Sequence, residues 1–143
     1  MGCFLRDSHR VQLLKLVDFE AVGRWWGEPA GRALYRSAAA HEVAHAVVAC
    51  HADPALPVPA HEYVAYVVMF ATMEPALRVR LLARYPGRGF GSVLEINTIV
   101  YVHDPLRFGA ESWRHYLKRR DRAAWLRAVV AGGVVQVFPT EGP

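Results

Sequence analysis

The feature that most constrains this chain is one short stretch, Ala38-Ala39-Ala40-His41-Glu42-Val43-Ala44-His45-Ala46-Val47-Val48. Alanine loses least on entering a helix, and no glycine or proline interrupts the run. The pattern predicts a helix over 32–50, with Leu34, Ala38, Val43, Val47 and Val48 apolar and the alanines letting neighbours approach closely. On a helix, residues four apart share a face. His41 and His45 can therefore aim two imidazoles at one metal ion, while Glu42 lies one step round, within reach of a water beside it. Burying these three side chains in an otherwise apolar helix is costly unless they are paired or liganded, which is a second argument for a metal.

Two histidines do not complete a catalytic zinc site, which usually takes three protein ligands and keeps one open position. Candidates for the third are Glu62, His61, His51 and Asp53, and further along His103 and His115. Pro54, Pro57 and Pro59 stop the first helix, and a second is predicted over 60–73. The first helix continues past His45 for under two turns, ~10 Å. Roughly eight extended residues span up to ~26 Å, so the chain can return. Glu62, on the first turn of an antiparallel neighbour, can then face both histidines, and His61 has nearly the same reach.

Around this pair the chain reads as short elements. Residues 10–17 alternate as a strand, Asp18 caps a helix over 19–26 closed by Gly27, and 28–31 make a turn. Trp25-Trp26 reads as core or a cleft wall. Glu74-Pro75 opens an amphipathic helix to Arg84, and 86–91 is a glycine-rich loop. Ser92 can cap 93–102, whose apolar residues fit a helix slightly better than a strand. Asp104-Pro105 opens a helix to Arg119. Asp121 caps 122–131, stopped by Gly132-Gly133, before a final strand over 134–138 and a loose tail over 139–143. The sum is an α+β fold, mostly helical, in one domain spanning 1–143.

Composition narrows the classes. At 53% hydrophobic and 21% charged residues, the chain can bury a core and is not disordered. The net charge of +4 is carried mainly by arginine, Lys15 and Lys118 being the lysines. Arg114, Lys118, Arg119, Arg120, Arg122 and Arg127 read as a solvated face, and no nucleic-acid partner is expected. Cys3 and Cys50 do not make a disulfide scaffold, and no Cys-x-x-Cys pair offers a thiolate zinc site. No stretch reaches the ~18–20 apolar residues of a membrane span. The opening Met1-Gly2-Cys3-Phe4-Leu5 is broken at once by Arg6-Asp7, so no signal peptide is expected in this chain.

His41-Glu42-x-x-His45 followed by Glu62 in a second helix resembles the gluzincin arrangement of thermolysin-like and aminopeptidase-N-like peptidases. The resemblance implies a compact metallopeptidase-like core with zinc on His41, His45 and Glu62. It implies that Glu42 is the general base, activating water and passing its proton to the leaving amine. Tyr66 stands where thermolysin-like enzymes frequently carry a carboxylate. A wider resemblance runs through Glu62-Tyr63-Val64-Ala65-Tyr66, Glu95-Ile96-Asn97, Asp104-Pro105-Leu106-Arg107-Phe108 and Trp113-Arg114-His115-Tyr116. These segments, with the histidine helix, are similar to a family of uncharacterised alphaproteobacterial proteins catalogued as a domain of unknown function. Members of that family are usually longer, with an export signal and an added N-terminal part. That implies an exported protein here and a chain short of the family's N-terminal portion.

Candidates to stabilise the oxyanion are Tyr66, one turn from Glu62, and His115, with Tyr101, His103 and Tyr116 behind them. The expectation is a zinc-dependent peptidase acting on a peptide or protein, with Glu42, Tyr66 and His115 catalytic. The alternatives are a regulatory peptidase that cuts a single protein partner, and a non-catalytic binding or structural protein on a peptidase-like fold.

Overall fold

Two consecutive helices form the centre of the molecule, and the second is the more buried. The computed structural model describes residues 2–5 and 10–135. The elements are β1 (Gly2–Leu5), β2 (Arg10–Leu13), α1 (Leu16–Ala21), β3 (Arg24–Trp25), β4 (Glu28–Pro29), α2 (Arg32–His51), α3 (Val58–Thr72), α4 (Pro75–Arg84), α5 (Thr98–His103), α6 (Pro105–Leu117) and α7 (Arg122–Val130). A 3-10 turn stands at Val93–Glu95. The strands form two separate antiparallel pairs, so the fold is α+β and mostly helical.

Helix α3 is apolar nearly all round, burying Ala60, Tyr63, Val64, Ala65, Tyr66, Val67, Met69 and Phe70. A helix of that kind must be enclosed, and α2, α5, α6 and α7 pack around it. Helix α2 is one-sided instead. Leu34, Ser37, Ala38, Ala44 and Val48 are buried, whereas Val43 is 50% and Val47 54% exposed. At 100° per residue these two valines lie ~200–240° round from His41, on the far face. The expected apolar face of this helix is therefore split: Leu34, Ala38 and Val48 are buried, and Val43 and Val47 face outward.

The N-terminal third departs most from its expected pattern. The strand beginning at Arg10 ends at Leu13, and α1 starts at Leu16, so Asp18 lies in the first turn rather than at the cap. Gly23, at φ 79°, follows the end of α1. The chain then turns back as a hairpin in which Trp25 faces Glu28 and Arg24 faces Pro29. The two loop residues, Trp26 and Gly27, have φ of 54° and 73°. Two-residue hairpins need this mirror-image turn to match strand twist. A left-handed tryptophan is strained by ~1–2 kcal/mol, so its surroundings must hold it. The anchor is Glu28, almost fully buried, which receives hydrogen bonds from Arg80 at 2.9 Å and from Arg84 at 3.0 and 3.3 Å.

Strand β1 was not foreseen. It pairs with β2 from Gly2↔Leu13 to Leu5↔Arg10 and lies against α2. A Cβ at Gly2 would fall 2.9 Å from the Glu42 Cγ and 2.8 Å from the Gln12 carbonyl oxygen, so glycine is what lets β1 lie over Glu42.

Residues 93–102 form neither one helix nor a strand. Ser92 caps only the 3-10 turn, and Asn97 restarts the chain as α5 by accepting from the Val100 N–H at 3.0 Å. Asp104 and Asp121 cap α6 and α7 as their positions predict, accepting at 3.0 and 2.8 Å. Val134 and Val135 are not in a strand; the rest of the expected final strand and the tail lie outside the described residues. Among the described residues no helix is long and apolar enough to cross a membrane.

Candidate metal centre

The ring of His45 lies beside His61, and that of His41 beside Tyr66. Moving back along α2 thus corresponds to moving forward along α3, so the two helices run antiparallel. This arrangement carries Glu62 to the two histidines. The Nε2 atoms of His41 and His45 are 3.1 Å apart. One carboxylate oxygen of Glu62 is 3.4 Å from His41 Nε2 and the other is 3.5 Å from His45 Nε2. All three side chains are 12–13% exposed, which leaves the group reachable from solvent.

These donors suit a zinc-type ion in number, chemistry and spacing. Two imidazoles and a carboxylate are a zinc donor set, and bonds of about 2.0–2.2 Å place tetrahedral ligand atoms ~3.3–3.6 Å apart, which both histidine–Glu62 separations match and the histidine pair, at 3.1 Å, falls slightly short of. Among the described residues His41, His45 and Glu62 are the one such cluster of potential ligands. His61, the rival third ligand, is buried next to His45, with ring centroids 6.3 Å apart, and stands outside it. The outer nitrogen of His41, Nδ1, is buried without a hydrogen-bond partner among the described residues.

The electrostatics separate the two carboxylates. Burial alone would raise the Glu62 carboxyl, but His41, His45 and a hydrogen bond from Tyr101 outweigh it and hold it below the usual carboxylate range. Glu42 is raised, first by burial and further by the Glu62 charge, with His41 opposing. The two shifts are opposite in sign, Glu62 being held toward its anion and Glu42 toward its acid form. Tyr101 is pushed up to about 12 by burial and by Glu62, so it remains the donor in that hydrogen bond. Tyr66 is raised well beyond the ordinary phenol range, by burial first and then by Glu62, and stays protonated. Its ring stands edge-on to His41 at 4.6 Å. A glycine at position 109 of α6 makes room for it, since a Cβ there would fall on the ring.

Two cavities meet here. One, of about 530 Å³, runs under β1 and is lined by His41, Glu42, His45, His61, Glu62 and Tyr101. The second, of about 370 Å³, shares Gly2, His41 and Glu42 with it and extends to Trp25, Trp26 and Tyr66. Trp25-Trp26, expected as core or a cleft wall, thus lines a cleft, with the indoles stacked at 4.3 Å.

His41, Glu42, His45, Glu62 and Tyr66 all come together. His115 does not join them. It is fully buried on α6 and packs against Tyr63, Phe90 and Trp125, lining neither cavity. Arg119 lies 2.6 Å from its Nε2, and a guanidinium can only donate. In the neutral ring Nδ1 therefore carries the proton, which it gives to the Tyr63 oxygen at 2.8 Å; Trp125 Nε1–H donates to the same oxygen at 3.0 Å. The expected basic face is likewise partly internal. Arg114 donates to the Leu82 carbonyl and to Glu111, and Arg119 stacks on Trp125, whereas Lys118, Arg120, Arg122 and Arg127 are exposed.

Sequence reasoning missed β1 over Glu42, since four residues are too few to display a period. It also missed Tyr101 as the donor to Glu62, because nothing local links a tyrosine on α5 to a glutamate on α3.

Residues 1–138 match a family described as a family of unknown function, DUF6639. No curated protein and no solved structure matches the chain.

Proposed function

The chain belongs to that family of unknown function, and from the geometry of its candidate centre we propose that it is a zinc-dependent peptidase. The observation that carries the reading is the convergence of His41 Nε2, His45 Nε2 and the Glu62 carboxylate within 3.1–3.5 Å, beside a raised Glu42 and an open cleft. When bound, zinc would supply Lewis acidity toward a carbonyl oxygen and lower the pKa of water toward ~7. His41 and His45 hold their positions through α2, and the Tyr101 hydroxyl favours the anion of Glu62. Glu42 takes a proton from the attacking water and returns it to the leaving amine nitrogen, a role its raised pKa suits. Tyr66, held protonated and turned by Gly109 toward His41, offers an O–H to the oxygen on which negative charge develops. No step is assigned to His115, whose ring nitrogens are both engaged in the core.

The test pairs metal content with turnover. Protein purified with zinc should carry one equivalent by elemental analysis, and His41→Ala or His45→Ala should lose it. Glu42→Gln should keep the metal and lower peptide hydrolysis by about 10²–10⁴-fold. A protein that takes up no zinc would sink the reading, as would a Glu42→Gln variant with undiminished turnover.

A further inference from the structure

The two cavities that meet at Glu42 differ in chemistry. The larger one is lined by the acids and imidazoles of the cluster. The smaller is walled by Trp25, Trp26, Met69 and Leu106, and apart from His41 and Glu42 at its inner edge no lining residue is ionisable below the phenol range. Its volume, about 370 Å³, lies at the small end of the ~300–1,000 Å³ typical of ligand pockets. That is room for one large side chain together with some of the backbone that carries it.

The wall is held in place. Trp25 and Trp26 stack with planes 17° apart, and Trp26 also faces the Tyr66 ring at 6.1 Å. The hairpin that carries them is anchored through Glu28 to Arg80 and Arg84 of α4. Position 26 has a left-handed backbone, φ 54°, that glycine or asparagine would adopt with less strain. An indole stands there against the preference of its own backbone, on the rim of a cavity that opens onto the catalytic carboxylate.

We propose that this cavity seats a large apolar side chain of the substrate, next to the bond that is cut. The substrates are then peptides carrying Phe, Leu or a residue of similar bulk beside the scissile bond. This rests on the reading of the cluster as hydrolytic. Flat indole faces accept aromatic and branched aliphatic groups, and an apolar wall gives a charged side chain no compensation for lost water. Apolar pockets discriminate by about 10–200-fold per methylene, so Phe or Leu should exceed Ala by at least ~100-fold in kcat/KM.

Two measurements on the zinc-supplied protein test this. The first maps cut sites in a mixed peptide library by mass spectrometry. The second compares binding of N-acetyl-phenylalaninamide and N-acetyl-alaninamide by NMR titration, which needs no turnover. Both are repeated with Leu106→Trp, which crowds the cavity, and with Trp26→Asn, which removes a wall while suiting the left-handed backbone. The expected result is cutting beside bulky apolar residues and tighter binding of the phenylalanine amide. Leu106→Trp should weaken both preferences yet keep its zinc. Cutting without such enrichment, with equal binding of the amides, overturns the cavity's role and leaves hydrolysis standing. If zinc binds but nothing is cut, the peptidase reading fails, and the amides decide alone. Selective binding weakened by Leu106→Trp then supports the cavity, and equal binding overturns it.

Discussion

Single residues in this protein act through what their neighbours allow. Tyr101 is one example. Its hydroxyl favours the Glu62 anion, and the phenol is pushed up to about 12, so it stays protonated beside that carboxylate. Partners of metal ligands typically influence affinity by 10–100-fold. Tyr101→Phe should accordingly weaken zinc binding by about that factor, read by competition with a chromogenic chelator, while the fold's far-UV spectrum is unchanged. His115 is a second example, with a different consequence. Burial, then the charges of Arg119 and Lys118, pull it down to about 4. An unfolded imidazole titrates near ~6.5, so the folded chain binds fewer protons between these values. Stability should be full above about pH 6.5 and fall as pH drops toward 4. Urea midpoints measured across that window should show the decline, and His115→Gln should flatten it. An equal slope in both proteins would mean that another group is responsible.

At the scale of elements, glycines and caps decide what periodicity leaves open. Gly109 sits inside α6, where glycine normally weakens a helix by about 1 kcal/mol relative to alanine. Gly109→Ala should nevertheless destabilise the protein, by ~1–3 kcal/mol in urea unfolding, because the new methyl group collides with the Tyr66 ring. The same kind of close approach separates what was legible in the sequence from what was not. The helices at Arg32–His51, Val58–Thr72, Pro75–Arg84, Pro105–Leu117 and Arg122–Val130 followed from apolar spacing, prolines and aspartate caps, which act within a few residues. The meeting of His41, His45 and Glu62 followed from the i, i+4 rule and the length of the proline connection. The Trp26-Gly27 turn did not, because a tryptophan at positive φ contradicts local preference and is held by Glu28 against arginines far along the chain. Residues 93–102 misled for a related reason. Asn97 looks like an ordinary polar residue of a helix, but its side chain ends one segment and begins the next, donating to the Leu94 carbonyl and accepting from Val100.

At the scale of the molecule, α3 is the structural axis and α2 the working face, with the hairpins laid on from outside. All three candidate ligands come from these two helices, which are consecutive in the chain and joined by a short connection rich in proline. That placement bears on time as well as space. Contacts between neighbouring segments close small loops and form early, whereas pairings across long separations are slow. The hairpin β3–β4 reaches its anchor on α4 only across most of the intervening chain, so its docking belongs to a later stage. The ligand set should thus be complete in the folding nucleus, before the cleft has its aromatic wall. Zinc added to a refolding mixture should then raise the folding rate itself, a chevron shift on the refolding arm, rather than act only by slowing unfolding. A metal that altered the unfolding arm alone would place the closure of this helix pair after the rate-limiting step.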